Sequence, residues 1–179
     1  RQWDYTKNIP VLPADVTTGS HRLVWWKCEK GHSWRASVRS RVSGNGCPVC
    51  AGRQLLAGEN DLATRFPELA QEWDRQKNGT LTPESAVPGS SRRVWWRCKA
   101  GHSWFASISS RAYRNSGCPV CTGKLVLPGF NDLASQNPVL AAQWDAERNG
   151  TLTPQQVTLT SNRKAWWICE KGHSFQAVI

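Results

Sequence analysis

A four-residue metal-ligand pattern occurs twice in full in this chain and a third time in half. Cys28-x3-His32 is followed after fourteen residues by Cys47-Pro48-Val49-Cys50, and Cys98-x3-His102 after fifteen by Cys118-Pro119-Val120-Cys121. Cys169-x3-His173 opens a third copy, and the sequence ends at Ile179 before a second cysteine pair. All seven cysteines and three of the four histidines belong to this pattern. Cys-x-x-Cys lets two thiolates converge from one tight turn, stiffened here by Pro48 and Pro119. Cys-x3-His does the same, with Gly31 or Gly101 permitting the bend. Four soft or borderline donors suit tetrahedral zinc. The predicted ligands are Cys28, His32, Cys47 and Cys50 at one site and Cys98, His102, Cys118 and Cys121 at the other. Cys169 and His173 make a half site, expected to hold metal weakly or not at all.

The pattern excludes much. A secreted disulfide framework is the competing use of so many cysteines, but paired Cys-x-x-Cys and Cys-x3-His turns suit a metal better. An iron–sulfur cluster usually takes four thiolates. Four protein ligands leave no coordination position for water or substrate, so the zinc reads as structural and the chain as no enzyme. A metal nuclease would need further histidines or carboxylates beside the site, and only His21 is spare; it reads as a surface residue. Zinc-bound thiolates fit a reducing, cytoplasmic setting. No apolar run approaches the roughly 18 residues of a membrane span.

The ligands sit inside a longer repeat. Cys28 to Cys98 is 70 residues and Cys98 to Cys169 is 71, a unit small enough to need a metal staple. Gly19–Cys28 aligns with Gly89–Cys98 and with Thr160–Cys169. Trp73-Asp74 through Asn78-Gly79-Thr80-Leu81-Thr82-Pro83 aligns with Trp144-Asp145 through Asn149-Gly150-Thr151-Leu152-Thr153-Pro154, and Trp3-Asp4 with Asn8 keeps the end of the same block. The extra residue of the second period lies between Arg111 and Cys118, a loop that tolerates insertion. Three segments result: 1–57 with a complete site, 58–127 with connector helices and a complete site, and 128–179 with connector helices and the half site. The sequence begins partway into a repeat and reads as part of a longer array.

Local patterns give each copy a strand, a turn and a second strand. Val24 to Cys28 is apolar and aromatic. Trp34, Ala36 and Val38 alternate with Arg35, Ser37 and Arg39, the period of a strand with one face buried. Asn60-Asp61 reads as the N-cap of a helix from Leu62 to Phe66. Pro67 opens a second helix through Leu69 and Trp73, which share a face at four-residue spacing, and Asn78-Gly79 ends it. Asp74 and Asp145 read as caps or arginine partners. The fold class is small α+β zinc-stabilised repeats: zinc-ribbon or treble-clef β-hairpins with two zinc knuckles, joined by short helices.

The chain has 11 tryptophans. Adjacent ones on a strand point to opposite faces. One of each pair can pack with Trp34 or Trp104 beneath the zinc. The other packs on a helix or stays exposed, as core or as a platform for stacking bases. The formal charge of +10 falls to roughly +8 once each Cys3His site counts as about −1. A basic chain of this size suggests a polyanionic partner. Arg22, Arg92 and Arg163 share one repeat position. Arg41 and Arg111 share another, near Arg114. Arg35 and Arg39 fall on the outward face of the first hairpin, and Arg93, Arg97 and Lys164 flank the later tryptophan pairs. A basic residue per repeat can track a phosphate backbone.

The run V-W-W-x-C-x-x-G-H-x-W, then G-C-P-x-C, N-D-L-A, W-D and K-N-G-x-L-T-P, resembles the "probable zinc-ribbon" repeat family of unknown function, found in tandem in bacterial and viral proteins. The resemblance covers nearly the whole chain. It implies a zinc-ribbon or treble-clef fold with zinc at the eight complete-site positions. Association of such repeats with nuclease-like domains implies a DNA-related role. The expected function is zinc-stabilised nucleic-acid binding, most of all DNA, as an accessory part of a larger protein that can include a catalytic domain or a protein partner. A protein-interaction or spacer array is the alternative.

Overall fold

In the computed structural model, which describes residues 2–179, each repeat is built on a β-hairpin. Strands β1 (Leu23–Lys27) and β2 (Ser33–Ser37), β3 (Arg93–Arg97) and β4 (Ser103–Ser107), and β5 (Lys164–Ile168) and β6 (Ser174–Val178) form three two-stranded sheets. In the first, Trp25 lies opposite Arg35 and Trp26 opposite Trp34; in the third, Trp166 lies opposite Gln176 and Trp167 opposite Phe175. The first strand begins and ends within one residue of the positions expected from the pattern.

The second strand is shorter than its alternation predicts. It stops at Ser37 and Ser107, whose hydroxyls accept from the Ser40 and Ser110 amides and cap helices α1 (Val38–Val42) and α5 (Ile108–Arg114). Val38 and Ile108 therefore enter the core as the first residues of helices. Arg39 and Arg41 lie on α1, not on a strand. The extra residue of the second repeat falls where α5 outlasts α1.

Between hairpins run short helices: α2 (Leu62–Arg65), α3 (Pro67–Gln71) and α4 (Arg75–Asn78), then α6 (Leu133–Gln136), α7 (Pro138–Ala141) and α8 (Ala146–Asn149). Asp61 and Asp132 cap α2 and α6, and Asp74 and Asp145 cap α4 and α8. Trp73 does not continue α3 as its spacing with Leu69 suggests. It leaves the helix and bridges Trp96, as Trp3 bridges Trp26 and Trp144 bridges Trp167. The Trp-Asp segment is thus a short third strand on each hairpin. Asn8, Asn78 and Asn149 extend it with side chains. Each amide donates to the carbonyl of the outer tryptophan (Trp25, Trp95 or Trp166) and accepts from the N–H of that residue, at 2.7–2.8 Å.

These contacts place one tryptophan of each pair in a core. Trp26, Trp96 and Trp167 meet Trp3, Trp73 and Trp144 edge to face, with ring centroids 5.3–5.5 Å apart. Such a pair is worth about 0.5–1.5 kcal/mol beyond its buried area. Their indole N–H groups are satisfied by the Ala36, Ala106 and Ala177 carbonyls.

The chain divides into two compact units. One runs to Trp96 and includes Phe105–Asn115; the other comprises Arg97–Trp104 and Ser116–Ile179. In the first, one core gathers Trp3, Val24 and Val38, and a second gathers Trp34, Cys47 and Val49. In the other unit the core is Leu133, Trp144, Val157, Ala165 and Trp167. Among the described residues no helix is long and apolar enough to cross a membrane.

Candidate metal centres

The two complete ligand sets each converge. In each set the Cys28, His32, Cys47 and Cys50 donors, and the Cys98, His102, Cys118 and Cys121 donors, lie within 4.8 Å of one another. The hairpin turn supplies the first pair. Cys28 N–H donates to the His32 carbonyl at 3.0 Å, and Cys98 N–H to that of His102 at 3.1 Å. Gly31 and Gly101 close the turn at φ 88° and 85°, where a side chain would be strained. The second pair comes from one helix-like turn, with the Ala51 N–H on the Cys47 carbonyl and the Thr122 N–H on that of Cys118.

The donor atoms fit zinc. Sulfur ligands about 2.3 Å from a tetrahedral zinc stand about 3.8 Å apart, and sulfur and nitrogen about 3.6 Å. Cys28 Sγ lies 3.8 Å from Cys50 Sγ, and Cys98 Sγ 3.7 Å from Cys121 Sγ. His32 Nδ1 lies 3.4, 3.2 and 3.5 Å from the sulfurs of Cys28, Cys50 and Cys47. His102 Nδ1 lies 3.5, 3.4 and 3.8 Å from those of Cys98, Cys121 and Cys118. These are four of the six edges of each tetrahedron, with the histidines facing in through Nδ1.

The thiols of each site influence one another electrostatically. Burial raises the Cys28 thiol, but the backbone N–H groups of His32 and Lys30, then Cys50 and Cys47, outweigh it and bring it to about 7. Cys50 is pushed the other way, to about 11, by burial and then by Cys47 and Cys28. Cys98 is lowered and Cys121 raised, to about 12, by the same causes. A first thiolate at each site makes the next harder to form, and a divalent ion relieves that repulsion.

The surroundings explain the N-D-L-A motif. Asn60 donates to the Val49 carbonyl inside the second knuckle and to that of Gln54, and accepts from Leu56. Asn131 does the same with Val120, Leu125 and Leu127. The next residue, Asp61 or Asp132, is buried and takes the amides of Gly58 and Thr64, or of Gly129 and Ser135. Leu62 and Leu133 then seal the core at zero exposure. Asparagine locks the knuckle, aspartate starts the helix, and leucine anchors it.

The half site has the same turn, with Cys169 N–H on the His173 carbonyl at 3.1 Å. Among the described residues it is not joined by further ligands into a cluster. Phe175, in the place of Trp34, is 44% exposed against 6% for Trp34.

The predicted basic residues separate into groups. Arg22, Arg35, Arg92, Arg93, Arg97, Arg114, Arg163 and Lys164 are exposed. Arg39 is exposed on α1 and meets His21. Arg41 and Arg111 do not belong with them. Arg111 is buried, paired with Glu72 and lying over Trp96. Arg41 is half-buried over Trp26 and Trp34 and bonded to Gln2 and the Asn45 carbonyl. Their guanidinium planes serve as core material, a role that a count of positive charge does not distinguish from a surface one.

Three other cations were missed. Lys7, Lys77 and Arg148 stand over the rings of Trp25, Trp95 and Trp166 at 4.5, 4.3 and 4.7 Å. The signal was present: each is four residues after the Trp of its Trp-Asp block. The outer tryptophan of every pair is thus half-buried and roofed by a cation.

Residues 1–53, 69–124 and 140–179 match the family described as "Probable Treble clef zinc finger domain". The matches cover most of the sequence, and the chain belongs to that family: three treble-clef repeats, two of them with complete Cys3His zinc sites. No curated protein matches the chain.

Proposed function

We propose that this chain is a zinc-stapled array that binds nucleic acid, DNA above all, through its outer hairpin faces. The observation that carries this reading is the cation over an outward tryptophan in all three repeats. Each lies in a hairpin whose first strand is preceded by an exposed arginine, Arg22, Arg92 or Arg163. The net charge of +10 supplies the long-range attraction. In this reading zinc is a staple and not a reaction centre, since four side chains fill its coordination. The array works in a reducing compartment, the cytoplasm, as the accessory part of a larger protein.

A salt series tests it. Binding of labelled duplex and single-stranded DNA by the zinc-loaded chain should weaken with salt at a log–log slope of about −4 to −5, the mark of about five phosphate contacts. Replacing Arg22, Arg92 and Arg163 together by Ala should flatten the slope. Absence of binding to either DNA at low salt refutes the reading and leaves a protein-interaction or spacer array.

A further inference from the structure

The second repeat differs from the other two on its outer face. Strand β4 carries Phe105 where β2 has Arg35 and β6 has Gln176, and β3 carries Arg93 where β1 has Leu23 and β5 has Lys164. Phe105 is 44% exposed. Its ring lies 5.3 Å from that of Trp95, tilted by 45°. Lys77 Nζ stands 4.3 Å from the Trp95 ring. The Arg93 guanidinium stands 5.0 Å from the Phe105 ring and donates to the Phe105 carbonyl at 2.8 Å. The four side chains make a row within one compact unit: cation, ring, ring, cation.

A phenylalanine so exposed gains little from the core. Its cation contact is worth about 0.5–1 kcal/mol at an exposed site, which arginine or glutamine forgoes at the matching positions without loss of the hairpin. The row instead matches a ligand that carries flat rings beside anions. Two neighbouring nucleotides of an unpaired strand present two base faces with backbone phosphates alongside them. A duplex keeps its base faces in the stack and offers only the backbone.

We propose that Lys77, Trp95, Phe105 and Arg93 form a stacking site for adjacent bases of single-stranded nucleic acid. The proposal rests on the reading that the array binds nucleic acid, and it places the preference for unpaired strands in the second repeat. Lys77 and Arg93, which cover the ring faces in the free chain, move onto the flanking phosphates, and the rings they uncover supply sequence-tolerant stacking. Arg35 and Gln176 leave the first and third hairpins with a single outward tryptophan each, suited to backbone contact alone.

The experiment is fluorescence anisotropy of labelled oligo(dT), oligo(U) and a hairpin duplex with the zinc-loaded chain and two variants, Phe105→Ala and Phe105→Tyr. Phe105→Ala should weaken oligo(dT) and oligo(U) by about tenfold and duplex by less than about twofold, and Phe105→Tyr should keep single-strand affinity near wild type. Phe105 is outside the buried cores, so an unchanged melting curve confirms that the variants fold. Unaltered single-strand binding in Phe105→Ala, or an equal loss for duplex, overturns the stacking site while leaving nucleic-acid binding standing. A wild-type chain that binds none of the three probes overturns both.

Discussion

His32 is held from both sides of its ring, Nδ1 toward the three sulfurs of its site and Nε2 against the carboxylate of Glu59. At the other complete site the equivalent of Glu59 is Phe130, whose ring meets His102 edge to face at 4.4 Å. A carboxylate on the far nitrogen fixes the ring's tautomer and raises its basicity toward a metal; an aromatic edge packs but accepts no proton.

Glu59 should therefore strengthen zinc at the first site. Glu59→Gln is expected to weaken it by about tenfold, the low end for loss of such a partner. Phe130→Glu should slow zinc loss at the second site. Zinc release to a chromogenic chelator, read in variants keeping one site through Cys28→Ser or Cys98→Ser, checks both. Equal release rates for wild type and Glu59→Gln would show that the carboxylate only decorates the ring.

Metal removal tests the larger claim that zinc holds the repeats. The core of Trp34, Cys47 and Val49 includes one ligand and packs on another, Cys28. Structural zinc contributes roughly 10–16 kcal/mol of apparent binding energy at neutral pH, comparable with the whole stability of a domain. A strong chelator should collapse the near-ultraviolet tryptophan signal and lower the melting temperature, with recovery on adding zinc. A melt unchanged by chelation would rule out a structural metal.

The metal ligands and the hairpins were legible because spacing dictates them: a tetrahedron needs close pairs of donors, and alternation marks a strand. The helix at Val38 was not, since Val38 and Arg39 continue the alternation and only the Ser37 side chain turns the backbone. Trp73 keeps the spacing of a helix with Leu69, yet its pairing with Trp96 pulls it into extended bridging. Period alone cannot weigh a local helix against a distant strand. The same limit applies to arginine: Arg92 and Arg111 carry equal charge in the sequence, but only one has Glu72 and an indole waiting for it.

That difference predicts opposite behaviour. Arg111→Ala should destabilise the zinc-loaded chain by about 1–3 kcal/mol, less than the cost for a fully buried pair because Glu72 keeps some solvent contact. Arg92→Ala should change stability by less than about 0.5 kcal/mol while weakening DNA. Chemical unfolding of each variant gives the comparison; a stable Arg111→Ala would return Arg111 to the surface group.

The helix caps make an acid limit. The Asp132 carboxyl is held below its ordinary 3.8 by the Ser135 hydroxyl foremost, against the opposing pull of burial, and then by the amides of Ser135 and Gly129. A carboxyl lowered in the fold contributes stability above its unfolded value and loses it as pH falls through the folded one. The advantage of wild type over Asp132→Asn should hold steady from neutral pH to about 5 and shrink below about 4. Comparing the two proteins at each pH cancels the acid release of zinc that both share. An advantage that grew on acidification would contradict the cap.

Asn149 offers the sharpest test of the side-chain strand. Its Nδ2 donates to the Trp166 carbonyl at 2.7 Å and its Oδ1 accepts from the Trp166 N–H at 2.8 Å. Aspartate has the same shape and keeps the acceptor, but it sets a charged oxygen against the Trp166 carbonyl in place of a donor. Asn149→Asp should cost about 2–3 kcal/mol, as much as Asn149→Ala or more, because an unmet buried group costs more than a lost bond returns. Thermal melts of the two variants, followed by tryptophan circular dichroism, decide it. If Asn149→Asp melted with wild type, the amide would not be pairing with the strand, and the recurrence of asparagine at positions 8, 78 and 149 would need another cause.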